Sequence, residues 1–159
     1  MKIRTCLTLS FVSLFLASCG TDSTSSNTQN HSHQVLAEQQ LWEKIMAVHD
    51  EAMPKMADIS RTKRRLKPHI KRSDLNEAQR QEIQETIELL ESAEEAMNSW
   101  MNGLKMLPDL RKMFTHEQIM DYLNTELNNI KTVRTLMYDA LEKGQRLLHI
   151  LEPNNTESQ

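Results

Sequence analysis

Two short stretches concentrate the side chains best suited to chemistry. They are Met46-Ala47-Val48-His49-Asp50-Glu51-Ala52-Met53-Pro54-Lys55-Met56 and Met97-Asn98-Ser99-Trp100-Met101. Thioethers are soft donors that suit Cu(I) or Ag(I), and imidazole also serves copper. An indole face attracts a cation laid over it. Met46, His49, Met97, Trp100 and Met101 are therefore the candidate ligands of a soft-metal site. The same five residues also read as ordinary packing, because Met fills irregular gaps and lies well against aromatic rings. Metals that prefer oxygen fit less well, since Asp50 and Glu51 fall off the Met face of a helix. A third stretch, Arg61 to Arg72, holds seven cations in twelve residues: Arg61, Lys63, Arg64, Arg65, Lys67, Lys71 and Arg72. Such a run suits an anionic surface such as lipid headgroups, lipopolysaccharide or an acidic partner. It also suits a solvated helix face whose charges complement the C-terminal end of a helix dipole.

No catalytic pattern accompanies these stretches. The chain has no Gly-rich phosphate loop, no G-x-S-x-G and no H-E-x-x-H. Its two cysteines, Cys6 and Cys19, both fall in the first 19 residues, so the remainder carries no thiolate nucleophile, disulfide or zinc–cysteine site. The expectation is a protein that is not an enzyme and, the soft-metal alternative aside, holds no cofactor.

Cys19 has chemistry of a different kind. Lys2 and Arg4 form a short positive region, and an apolar run follows from Cys6 to Ala17. That run has signal-peptide length and is too short to span a bilayer. It closes on Leu16-Ala17-Ser18-Cys19, which resembles a bacterial lipobox: Leu at −3, small residues at −2 and −1, Cys at +1. The resemblance implies that the Cys19 thiol takes a diacylglyceryl group as a thioether, that residues 1–18 are removed, and that the new α-amine is acylated. Each buried methylene adds about 0.8 kcal/mol, so several chains hold a protein at a membrane lastingly. Removing Lys2 and Arg4 leaves 17 of the 19 basic residues against 22 acidic ones, moving the net charge from −3 to −5. That balance argues against a nucleic-acid partner. Gly20 rather than Asp follows the cysteine. By analogy with enteric sorting, this favours the outer membrane, facing the periplasm.

The elements that must position these residues follow from composition. Gly and Pro are scarce and aromatic residues make up 4%. Leu, Glu, Gln, Lys, Met and Ala, all good helix formers, dominate. Residues 19–34, from the cysteine through TDSTSSNTQNHSHQ, read as a flexible tether, with His31 and His33 as solvated side chains rather than a closed metal site. A first helix is expected over 35–66, with Trp42, Ile45, Met46, His49, Met53, Met56 and Ile59 along one face and a kink at Pro54. A second is expected over 75–104, capped by Asp74 with Glu77 and lined by Ile83, Ile87, Leu90, Glu94, Met97, Met101 and Leu104, with Glu94 the one polar interruption. A loop or short helical turn then covers 106–114. Thr115 and Gln118 cap a third helix carrying Ile119, Leu123, Leu127, Ile130, Met137, Leu141, Leu148 and Leu151, and Pro153 ends it. The fold expected is an all-α, antiparallel up-down-up three-helix bundle over 35–152, with 153–159 as a loose tail; a long helical hairpin that dimerises is the alternative. Equal rise in the first two helices pairs residues whose numbers total about 141, which sets Trp42 near Trp100 and Met46 near Met97.

The segment W-x-x-I-M-x-V-H-D-E-x-M-P-K-M from Trp42 to Met56, and the later M-x-x-W-M from Met97 to Met101, resemble motifs of a group of small helical lipoproteins of Bacteroidota-type bacteria. Some members of that group are called "viral A-type inclusion protein". The resemblance implies a helical, lipid-anchored envelope protein and no particular reaction. The role expected is structural or protein-interacting, with an envelope protein as partner; the alternative is binding or chaperoning of Cu(I) or Ag(I).

Overall fold

The computed structural model describes residues 23–153. Residues 1–22, with the expected leader and Cys19, and residues 154–159 lie outside it. All regular structure within it is helical: α1 (Ser23–Ala52), α2 (Lys55–Leu66), a 3-10 turn (Lys67–Lys71), α3 (Glu77–Gly103), α4 (Leu107–Met113) and α5 (His116–Leu151). None of these helices is long and apolar enough to cross a membrane. The chain is all-α.

Local rules explain most boundaries. Pro54 lacks an amide hydrogen and crowds the preceding turn. The helix accordingly breaks there for two residues: the Met53 amide still bonds the His49 carbonyl, and the Met56 amide takes the Met53 carbonyl instead of Ala52. Thr115 and Gln118 form the expected reciprocal capping box on α5. The box on α3 belongs to Asn76 and Gln79, not to Asp74 and Glu77. Asp74 is occupied by the Arg72 guanidinium at 2.5 Å, so the helix starts two residues later than expected.

The start of α1 differs more. It begins at Ser23, so residues 23–34, expected as coil, are helix, and only the part of the tether before Ser23 lies outside the described residues. His31, Ser32 and His33 are exposed. Ser, Thr and Asn cost only a few tenths of a kcal/mol each in a helix. A helix already nucleated by the packed residues beyond Val35 extends through them without a second nucleation step.

Packing is organised around α5, which contacts α1, α2 and α3. Side-chain pairs give the directions. Glu38 meets His116, Glu51 meets Arg134, and Arg65 meets Glu152, so residue numbers rise together along α1, α2 and α5. From α2 and the turn after it to α3 they run oppositely, with Ser60 on Glu94 and Lys67 on Glu91. The buried residues recur every seven positions: 38, 45, 52, 59 and 66 in the first two helices, 83, 90 and 97 in α3, and 123, 130, 137 and 144 in α5. Position 144 is glycine because three helices converge there. A Cβ would stand 2.7 Å from the Thr62 Cγ2 and 3.1 Å from the Leu90 Cδ1.

Candidate functional site

His49 and Trp100 do meet. Their ring centroids are 5.7 Å apart, tilted by 33°. They arrive from α1 and α3, in a register that differs from equal rise. The pairs joining α1, α2 and the 3-10 turn to α3 total between 149, for His49 with Trp100, and 158, for Lys67 with Glu91. The chain keeps climbing through the 3-10 turn to Lys71 before it reverses. Trp100 therefore stands opposite His49, about two turns from Trp42, its expected neighbour.

The neighbourhood divides between core and rim. Met97 is fully buried and Trp100 nearly so, both on the buried stripes of α3. Met46, His49 and Met101 are half-buried at its edge. The Trp100 indole N–H donates to the Glu126 Oε2 at 2.8 Å, so the polar edge of the ring is held by α5. The His49 Nδ1 lies 2.9 Å from the Asp50 carboxylate. A carboxylate only accepts, so Nδ1 donates here and Nε2 is the nitrogen left for another partner. Nε2 has no hydrogen-bond partner among the described residues. This is the carboxylate–imidazole arrangement that orients a metal-binding histidine. Met46 and Met53, three before and four after His49, share its helix face. Among the described residues no group of three or more His, Cys, Asp or Glu could hold a metal; any ion here would depend on thioethers.

The basic segment is largely engaged. Arg61 pairs with Asp58, Lys63 with Glu94, Arg65 with Glu152, Lys67 with Glu91 and Arg72 with Asp74. Arg64 and Lys71 are exposed and make no ion pair among the described residues. The Lys63 hydrogen bond, against opposing burial and helped by Ser60, holds the Glu94 carboxyl below its ordinary range. Arg72 also donates to the Leu151 carbonyl at 3.1 Å, and His69 contacts Glu152 at 2.7 Å. The segment thus ties α2 and the turn after it to α3 and to the end of α5.

Sequence reasoning missed one charged cluster. Glu38 is 4% exposed in α1. Its carboxylate accepts from the Arg111 Nε at 2.7 Å and from the His116 Nδ1 at 2.9 Å, while Arg111 also donates to the Val35 carbonyl. Burial pushes the Glu38 carboxyl up, but the hydrogen bonds from His116 and Arg111 outweigh it and leave it below the ordinary range. The signal was present: Glu38 lies seven residues before Ile45 on the stripe that continues through Ala52, Ile59 and Leu66.

Nothing among known protein families, curated proteins or solved structures matches this chain.

Proposed function

We propose that the protein is a lipid-anchored, non-enzymatic component of the bacterial cell envelope. Its helical domain, an up-down-up three-helix bundle formed by α1 with α2, by α3 and by α5, serves a structural or protein-interaction role. The bundle reading is supported by the parallel rise of contacts between α1–α2 and α5, the opposed run of α3, and the seven-residue burial spacing. The anchoring reading is carried by one observation: the positive start, the apolar run and Leu16-Ala17-Ser18-Cys19 occur in signal-peptide order and at signal-peptide length. The charged side chains that join helices support a scaffold. Buried Glu38 ties α1 to α4 and α5, and half-buried Glu94 ties α3 to α2. The outer membrane, facing the periplasm, is the expected site.

Mass spectrometry of the native protein tests the anchor. The expected product begins at Cys19 and carries a diacylglyceryl thioether and an N-acyl chain. An intact leader, or an unmodified Cys19, would refute it. Crosslinking and pull-down from native membranes is expected to return a defined envelope partner.

A second reading is favoured by the contact of His49 with Trp100 and by the open Nε2: a soft-metal site using Met46, His49, Met97, Trp100 and Met101. Titration with Cu(I) against a competing chelator, read by Trp fluorescence, decides it. Quenching that is lost in His49→Gln supports the site; no affinity beyond the chelator eliminates it.

A further inference from the structure

Six large hydrophobic side chains are exposed among the described residues, and four of them gather at one end of the domain: Leu36, Met106, Met113 and Phe114. Met106 (55% exposed) and Met113 (59% exposed) bracket α4, which buries Leu107 and Leu110. Phe114 follows directly. Arg111 pins α4 to Glu38 and to the Val35 carbonyl, next to Leu36. The patch is therefore held firmly to the part of α1 where the chain from Cys19 enters the domain.

We infer that this end docks on the bilayer that holds the chain's own acyl anchor, with Met106, Met113 and Phe114 entering the headgroup–acyl boundary. The inference rests on the lipid-anchor reading. Three observations select a bilayer as the occupant. First, Cys19 lies only sixteen residues before Val35. Of these, Ser23 to Val35 span about 18 Å as helix, so a bundle leaning to its α4 side brings the patch to the membrane surface. Second, the patch has an interfacial make-up. The Lys105 ammonium lies 5.6 Å from the Phe114 ring centroid and 5.9 Å from that of Tyr122, and the Tyr122 hydroxyl accepts from the Lys105 amide. Aromatic bodies with polar tips and long cationic stems are the side chains that settle at a membrane–water boundary. Third, the basic segment lies away from this end. Glu38 to Leu66 is about 42 Å of helix, and five of the seven cations beyond or along it are already paired. Near the patch, Lys112 pairs with Asp109 and Arg111 with Glu38. Apolar contact rather than charge must then supply the docking, and it should survive high salt.

The test uses the lipidated full chain in vesicles of phosphatidylethanolamine and phosphatidylglycerol carrying a diazirine phospholipid. Photolysis and peptide mapping locate the adducts. They are expected on Met106, Met113 and Phe114, unchanged by salt, and absent from Ile150, which is more exposed than any of these. Met113→Gln with Phe114→Gln changes only exposed side chains, so the fold persists, and adduct yield at this end should fall at least tenfold. An acylated Cys19 with no adduct on α4 overturns docking and leaves the anchor standing. α4-to-α4 protein crosslinks in place of lipid adducts overturn it in favour of a second copy. If Cys19 proves unacylated, the anchor reading fails by itself. Chain added from outside then decides docking: adducts on α4 uphold it, and their absence overturns it.

Discussion

Gly144 offers a direct test of how α2, α3 and α5 meet. In Gly144→Ala the new methyl would stand 2.7 Å from the Thr62 Cγ2 and 3.1 Å from the Leu90 Cδ1. Real carbon atoms do not approach to the first distance, so something must move. Thr62 is buried and stiff about χ1, and Leu90 is fully buried. Overpacking of this kind costs about 1–3 kcal/mol. Against it, Ala is better than Gly in a helix interior by about 0.8–1.0 kcal/mol. The net expectation is a loss of about 1 kcal/mol. Because that figure is a difference of two larger ones, the decisive quantity is a double-mutant cycle with Thr62→Ser. That change deletes the atom the new methyl strikes. In the Thr62→Ser background Gly144→Ala should become neutral or stabilising, which gives a coupling of about 1–2 kcal/mol in favour of the double variant. Urea unfolding followed by far-UV circular dichroism measures it, provided the slope of stability against urea stays constant. A coupling below about 0.5 kcal/mol, the additivity expected of sites that do not touch, would show that Thr62 and Gly144 are not in contact and that the three helices meet elsewhere.

Acid should weaken the Glu38 junction. The folded carboxyl is held low by His116 and Arg111 despite burial. Its contribution is thus fully present above the ordinary glutamate pKa of about 4.3 and is lost as pH falls through the lowered folded value; stability measured against pH should drop less steeply there in Glu38→Gln. Trp100→Phe keeps an aromatic ring but deletes the pyrrole half of the buried indole together with its 2.8 Å bond to Glu126; a loss of at least about 1 kcal/mol is expected by urea unfolding, and no loss would mean that solvent satisfies Glu126 equally well and the site closes over the void.

Much of this arrangement could be read from residue spacing. The three long helical segments, the break at Pro54, the cap at Thr115 and the stops near Gly103 and Pro153 all follow from local chemistry that acts within a few residues. The inward face of the first helix is a different matter. The stripe through Trp42, Met46, His49, Met53 and Met56 is apolar and helically spaced, yet in the fold these residues are half-buried, and only Ile45 and Ile59 of the expected face are fully so. The true inward stripe is rotated toward Glu38, Leu41, Ala52, Thr62 and Leu66. Hydropathy ranks Glu38 and Thr62 as outward and Met and Trp as inward. The side chains' partners on α4 and α5, invisible within α1, reverse that ranking. The register of the His49–Trp100 pair was hidden for a related reason. It depends on whether Lys67–Lys71 continues the climb or begins the return, and Pro68 is compatible with either. The charge run from Arg61 to Arg72 shows the same limit, since its acidic partners include Glu91, Glu94 and Glu152, far away in sequence.

Glu38 occupies a stripe position that an aliphatic residue would fill at no desolvation cost, and this bears on what the polar tie does. Removing one partner of a buried charged pair is costly mainly because the others are left stranded, whereas a well-packed apolar replacement can be neutral. Here the side chains of Arg111 and His116 keep 32% and 23% exposure, enough for water to reach them. Glu38→Leu should therefore stay within about 1 kcal/mol of the parent, while Glu38→Ala, which also leaves a void, should lose about 2 kcal/mol. The two variants part company in specificity. Ile45, Ala52, Ile59 and Leu66 repeat every seven residues, so α1 and α2 could slide along α5 by one heptad and still bury aliphatic side chains. A polar residue at one such position is a known device for fixing register. In Glu38→Leu that device is gone, and amide resonances along α1 and α5 should double or broaden although the midpoint of unfolding scarcely moves. A single sharp set of resonances in the Leu variant would show that register is set instead by Gly144 and the Pro54 break, and that the Glu38 tie only joins α4 to its neighbours.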